Sequence, residues 1–104
     1  MNKFFNFLGL AKKSGNVLEG YNKCDEEKRR KNIYLFIISK DASESSKKKF
    51  KNYCNDNNIQ YIEDFSKEEL GLALGRAEIK ILGILNKNMA EKLILLYKED
   101  INMK

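Results

Sequence analysis

Between the first amphipathic run and the most apolar stretch of the chain lies EGYNKCDEEKRRKN, Glu19 to Asn32, nearly every residue of it charged or an amide. Gly20 and Asn22 stand at its head and the block Lys28, Arg29, Arg30, Lys31 near its tail. An asparagine amide presents both a donor and an acceptor, which suits a nucleobase edge. The basic block can reach phosphates, or it can simply solvate a helix C-terminus and favour its dipole; the residues allow either. Other chemistries are poorly provided for. The chain has no histidine, which removes the commonest general base and the commonest metal ligand. Cys24 and Cys54 lie too far apart in sequence for a zinc or redox pair and read as reduced thiols. Acidic residues come as neighbours, Glu26 with Glu27, Glu63 with Asp64 and Glu68 with Glu69. Adjacent side chains diverge on helix or strand, so these make poor acid–base pairs. GLAKKSG lacks the Gly-Lys-Ser/Thr order of a phosphate loop and follows no strand. The expectation is a binding protein with no catalytic residue, no cofactor and no metal.

The elements that must carry these residues alternate. Phe4, Leu8 and Ala11 recur at helical spacing, with Lys12 and Lys13 in the last turn and Gly15 to close it. NVLEG predicts a short strand and the polar stretch a helix. IYLFII, Ile33 to Ile38, reads as a strand covered on both faces. Asp41 with Glu44 resembles a capping box opening a helix with Phe50, Tyr53 and Cys54 inward. IQYI predicts a third strand, and Ser66 with Glu69 a second box before a helix burying Leu70, Ala73 and Leu74. In GLALG, the Gly-xxx-Gly spacing points to close backbone packing. IKILGIL predicts a fourth strand with Ile79, Ile81 and Gly83 on one side. Asn88 with Glu91 is a third box, opening a helix with Met89, Leu93 and Leu96 inward, and KEDINMK is expected to fray. Such alternation specifies an α/β fold, a sheet with helices on both faces. The length, 104 residues, allows one domain, 1–104.

The net charge of +5 fits a nucleic-acid or other anionic partner, and equally a lysine-rich solvated surface. No stretch approaches the ~20 apolar residues of a membrane helix. MNKFFNFLGLAKKSG has a short apolar run, but Asn2 and Asn6 interrupt it and no small-residue cleavage site follows. It reads as a helix of a cytoplasmic protein. In an open α/β sheet, ligands meet the loops at strand C-terminal ends. Here these are Gly20–Asn22, Lys40–Glu44 and Asp64–Lys67, all polar and without the apolar lining a small-molecule substrate needs.

LGLAKKSGNVLEGYN, IYLFIISKDASESSKKKFKNYC and IQYIEDFSKEELGLALG together resemble the kink-turn-binding ribosomal protein family, the large-subunit "seven-Ae" and "thirty-e" type with its short bacterial YlxQ-like members. The third stretch is the most specific, because Leu70, Gly71, Ala73 and Gly75 keep the family spacing. The resemblance covers nearly the whole chain. It implies a three-layer α/β/α sandwich with a four-stranded mixed sheet, no enzymatic activity, and binding of a kink turn or similarly bent RNA on the ribosome, by a cytoplasmic monomer. RNA recognition of that kind rests on shape, phosphates and a few base edges.

The residues the resemblance assigns to RNA are Gly20, Tyr21, Asn22, Lys23, Glu26, Glu44, Lys67, Arg76 and Ala77. Gly20 matches the glycine that lets the backbone approach, Asn22 the asparagine facing tandem G·A pairs, and Lys67 a lysine near the RNA backbone. Glu44 lies near the acidic position of the turn after the second strand, and Arg76 and Ala77 fall in the loop over the bulged nucleotides. Archaeal and eukaryotic members follow the asparagine with glutamate and, three residues later, lysine; here Lys23 and Glu26 hold the exchanged charges. The two can form an i, i+3 salt bridge, but Lys23 cannot accept a hydrogen bond from guanine and Glu26 meets phosphate repulsion. Lys28 replaces a branched aliphatic, so its stem must cover the sheet while its amine snorkels. The exchange keeps a second class open: a protein-interaction module with this fold and weak or non-specific RNA binding.

Overall fold

In the computed structural model, which describes residues 2–102, helix α1 spans Asn2–Lys13 because Phe4, Leu8 and Ala11 share one fully buried face. Strand β1 follows at Val17–Glu19, α2 at Tyr21–Glu27, β2 at Leu35–Ile38, α3 at Glu44–Asp56, β3 at Gln60–Ile62, α4 at Lys67–Ala73, β4 at Ile81–Ile84 and α5 at Lys87–Asn102. The strands form a mixed sheet in the order β1-β4-β2-β3. β4 runs antiparallel to both β1 and β2, and β2 runs parallel to β3.

Strand alternation divides the core into two layers. Leu35, Ile37, Leu82 and Ile84 face α1, α4 and α5, together with Phe4, Leu8, Leu70 and Leu93. Phe36, Ile38 and Ile81 face α2 and α3, with Leu18, Cys24, Phe50 and Cys54. This is the three-layer α/β/α sandwich that the family resemblance implies. No helix among the described residues is long and apolar enough to cross a membrane.

Several local expectations are corrected. β2 begins at Leu35, not Ile33, because its partner β4 ends at Ile84, opposite Leu35; Tyr34 is left outside the strand and 37% exposed. Ile79 precedes β4 and joins the α1/α4/α5 layer, whereas Ile81 faces the other way. The α3 cap is Ser43, whose Oγ accepts from the Ser46 amide at 3.2 Å. Asp41 is drawn away, since its Oδ1 accepts from the Lys67 amide at 3.1 Å. At α5 the cap is Asn86, whose Oδ1 accepts from the Met89 amide at 3.0 Å, not Asn88. The expected fraying from Lys98 does not occur: α5 continues to Asn102, held by Tyr97, whose ring lies 6.4 Å from Phe4 and 6.0 Å from Phe65. Met103 and Lys104 lie outside the described residues. The Ser66–Glu69 capping box of α4 forms as expected.

The close packing predicted for GLALG is centred on Gly71. A Cβ there would lie 2.7 Å from Glu78 Cα and 2.8 Å from the Arg76 carbonyl oxygen. The Arg76 amide donates to the Gly71 carbonyl at 2.8 Å, and the Ile79 amide to the Lys67 carbonyl at 3.0 Å. The loop from Arg76 to Glu78 therefore sits directly on the α4 backbone, with no room for a side chain between. Gly71→Ala is expected to cost ~1–3 kcal/mol in denaturant unfolding, the usual penalty of overpacking, and to shift the Arg76–Glu78 amide resonances. A cost below about 0.5 kcal/mol, the range of an ordinary surface change, would contradict that seating.

Candidate functional site

Strand direction decides which loops meet. β1, β2 and β3 end at one edge of the sheet and β4, running oppositely, begins there, since Glu19 pairs with Leu82, Ile38 with Ile81 and Ile37 with Ile62. The turns at Gly20–Asn22, Lys40–Glu44 and Asp64–Lys67 and the loop Arg76–Lys80 consequently share that edge. A groove of about 390 Å³ lies between the first and last of them, lined by Glu19, Gly20, Tyr21, Arg76, Glu78 and Lys80 among others.

Gly20 is the N-cap of α2 with φ 94° and ψ 162°, a conformation that side-chain-bearing residues avoid. Its amide donates to the Ile81 carbonyl at 2.8 Å, pinning the turn to β4. The position of its missing Cβ has nothing within 4 Å, so the space in front of this backbone is open. Asn22 and Lys23 follow on the exposed face of the first turn, with Glu26 a turn further along. Tyr21 is anchored: its hydroxyl accepts from the Lys49 ammonium at 3.0 Å, and its ring meets Phe50 edge-on at 5.4 Å.

Two cations at this edge are tethered. Arg76 Nε lies 3.2 Å from Glu19 Oε1, which also receives Lys12 at 3.3 Å. Lys67 Nζ lies 3.2 Å from Glu78, and that contact raises its pKa above the ordinary lysine value. The Glu44 side chain is 95% exposed, 3.8 Å from Lys47, and Ala77 is exposed. Two further lysines belong to the edge: Lys40, in the turn that the sequence already places there, and Lys80, which escapes sequence reasoning. Both are exposed and without an ionic partner among the described residues. The Ser39 amide donates to the Lys80 carbonyl at 2.7 Å, so the two lysines leave adjacent strands at neighbouring points. Only the β2–β4 register makes them neighbours.

The Lys23–Glu26 salt bridge that the spacing allows is not made. The acid that pairs on α2 is Asp25, with Lys28 Nζ at 2.8 Å and Lys49 Nζ at 2.9 Å. The Asp25 carboxylate reaches from α2 to α3 and serves both lysines; Lys23 and Glu26 are both exposed, where a pair is worth only tenths of a kcal/mol. The basic block is also separated from Asn22. α2 ends at Glu27, and Arg29 to Lys31 lie on the return path to the start of β2, at the opposite edge. Lys28 fills the place of the expected aliphatic residue, but its amine does not snorkel to water, because Asp25 holds it. The Lys28 side chain is 9% exposed, with Nζ 5.5 Å from the Phe50 ring and 5.1 Å from the Tyr53 ring.

Among the described residues no group of three or more His, Cys, Asp or Glu side chains is placed to hold a metal. Burial pushes both thiols, Cys24 and Cys54, up to about 12, with the Asp25 charge adding to the shift at Cys24. Neither is a thiolate nucleophile near neutrality.

A model of the ribosomal protein L7Ae/L30e/S12e/Gadd45 family matches residues 2–95. The RNA-binding protein YlxQ of Bacillus subtilis (strain 168) is 29% identical over 94 residues, covering 90% of this chain and 94% of the relative. The protein of the same name from Enterococcus faecium is 29% identical over 90 residues, 86% of either chain. Among solved structures, a Bacillus halodurans protein of unknown function superposes with a TM-score of 0.85 at 28% identity, covering 90% of this chain and 95% of that one. A Giardia lamblia 15.5kD RNA binding protein shares the fold, with a TM-score of 0.73 at 20% identity over 86% of this chain and 80% of its own.

The Asp25 contacts tie α2 to α3, and they carry a pH signature. Hydrogen bonds from Lys28 and then Lys49 hold the Asp25 carboxyl below the usual carboxylate range, against the partial burial that acts the other way. A folded-state pKa below the unfolded value of ~3.9 stabilises the fold above that pH and stops doing so as pH falls through the folded value. Asp25→Asn should lower the melting temperature at pH 7, and the gap to wild type should begin to close below about pH 4. A gap independent of pH would contradict this ionic tie.

Proposed function

The chain belongs to the ribosomal protein L7Ae/L30e/S12e/Gadd45 family, and from that premise we propose that it binds RNA with the Gly20 edge of its sheet, recognising a kink turn or similarly bent element. The observation that carries the reading is the Gly20–Asn22 turn. A backbone that only glycine adopts readily leaves open space in front of it and hands directly to an exposed asparagine. A nucleic-acid backbone can approach that opening closely, and the Asn22 amide can then donate to one base and accept from its neighbour. The RNA-binding names of the YlxQ relatives support it.

In this reading the other residues surround that contact. Lys67 and Arg76 face phosphates from their carboxylate tethers, and Lys23, Lys40 and Lys80 add untethered charge. Tyr21 holds the turn against α3. Ala77, on the loop seated over Gly71, offers an apolar surface to bulged nucleotides. Glu44 and Glu26 border the site with negative charge, which repels RNA that does not follow the bend. The protein acts as a monomeric, cytoplasmic, non-enzymatic component of translation that sits on ribosomal RNA. The exchanged Lys23 and Glu26, with no pair between them, favour a second reading in which a protein partner replaces the RNA. A pull-down whose partners survive nuclease treatment would support that alternative.

The test is a kink-turn RNA labelled at both ends, with bending followed by energy transfer at moderate salt. Wild type should bend it and leave a straight duplex unchanged. Asn22→Ala should weaken binding by ~1–3 kcal/mol, about fivefold or more, while Lys92→Ala on the outer surface of α5 changes it less than twofold. Equal losses for the two would indicate diffuse electrostatic contact and contradict the assignment. Exchanging Lys23→Glu with Glu26→Lys should tighten the complex; a looser one would mean that the native charges suit this protein's own target.

A further inference from the structure

The opposite edge of the sheet, where β2 and β3 begin, holds a larger groove of about 770 Å³. One wall is the turn after α2, with Arg29, Lys31 and Asn32; the other is the turn after α3, with Asn57 and Asn58; Tyr34 lies at the mouth of β2. The three residues of the first wall are exposed and Tyr34 is 37% exposed. Arg29 and Lys31 have no ionic partner among the described residues. Asp56 is the one carboxylate among the lining residues, so the groove carries a positive balance. Lys28 lines it as well, but its ammonium is already held by Asp25.

Packing does not account for these residue types. The core here is completed by Ile33, 5% exposed, and by the half-buried Ile59. The Lys28 carbonyl accepts from the Tyr53 hydroxyl at 2.7 Å, which fixes one wall. The Asn57 side chain donates to the Tyr53 carbonyl at 2.8 Å, which fixes the other. Asn58, at φ 55°, holds the second turn in the left-handed conformation that asparagine tolerates. What remains over this rigid floor is an exposed aromatic ring, untethered cations and side-chain amides.

We propose that this groove is a second RNA site and takes a single-stranded segment. A strand needs cations along its phosphates and an aromatic face for a base to stack on; Arg29, Lys31 and Tyr34 supply these, and the asparagine amides can meet exposed base edges. The groove is lined mainly by polar and charged side chains, which suits a nucleic-acid strand better than a small molecule. A duplex is excluded by the same chemistry, because its bases hide the faces that Tyr34 would stack on. The groove lies at the other end of the strands from Gly20, in a molecule 32 × 27 × 26 Å across. The protein can therefore hold two RNA segments at once, one on each edge.

The experiment uses the whole chain and a fluorescein-labelled oligouridylate of about twelve nucleotides, within the usual site sizes, followed by anisotropy across a salt series. Oligouridylate offers no bend, so the outcome is independent of the kink-turn reading. Arg29→Gln with Lys31→Gln should weaken binding about tenfold and flatten the salt dependence by about 1.4 in log–log slope, ~0.7 for each phosphate that is no longer neutralised. Tyr34→Leu keeps apolar bulk and removes the ring; it should weaken binding about fivefold or more without altering the slope. Lys92→Ala, on the outer surface of α5, should stay within twofold. Circular dichroism melts of each variant should match wild type, as befits exposed positions. Absence of oligouridylate binding, weakening by Asn22→Ala but not by the groove variants, an indifferent Tyr34→Leu, or equal displacement by a polyglutamate of matched charge would each overturn the proposal.

Discussion

Everything at the Gly20 edge depends on β4 lying antiparallel between β1 and β2. Its residues Ile81 to Ile84 are all buried, and their side chains feed both core layers, so the strand is fixed by apolar burial on each face. Its direction assembles the edge. Because β4 starts where the other three strands end, the loop before it faces the turns after them. The Gly20 amide bonds to Ile81 and the Ser39 amide to Lys80, so the turns are registered to β4 by backbone hydrogen bonds. Gly71 then fixes the height of the incoming loop, by letting α4 touch it backbone to backbone.

α2 solves a different problem. A helix with Cys24 as its one buried residue cannot be held by apolar burial alone. Polar contacts to α3 take over: Asp25 shared between Lys28 and Lys49, Tyr21 bonded to Lys49, and the Lys28 carbonyl bonded to Tyr53. Lys28 closes the gap over Phe50 and Tyr53 with its stem and cation. The arrangement leaves the outer face of α2 free of packing duty, and that is the face on which Asn22, Lys23 and Glu26 stand. Its polarity follows from being attached at one side through α3 and exposed at the other.

Local patterns in the sequence are sufficient for the element order, the two-faced burial of β2 and the Ser66–Glu69 cap, because each depends on residues a few positions apart. Where a competing partner lies far along the chain, the same patterns mislead. Asp41 fits a capping box until Lys67 claims its carboxylate; Lys23 and Glu26 fit a salt bridge until Asp25 proves to be the residue that α3 engages. The tail holds its helix because Tyr97 finds Phe4 and Phe65, which no local pattern records. The same limit applies to the candidate site. Gly20, Asn22, Lys67, Arg76 and Ala77 are legible as motif positions. Lys40 is legible as part of a strand-end turn, Lys80 joins only through strand register, and the Arg29–Lys31 block leaves them because α2 stops at Glu27. Tyr34 reads as a core strand residue in the sequence and is the exposed ring of the second groove in the fold, since the length of β2 is set by where β4 ends.

RNA is proposed to meet the edge built around β4. Titrating an isotopically labelled sample with an unlabelled kink-turn RNA and following backbone amide resonances tests it most directly. The largest shifts are expected on Gly20 to Lys23, Lys40 to Glu44, Lys67 and Arg76 to Lys80, with the exposed faces of α1 and α5 unmoved. Shifts spread evenly over the exposed lysines, or concentrated on α1 and α5, would contradict it.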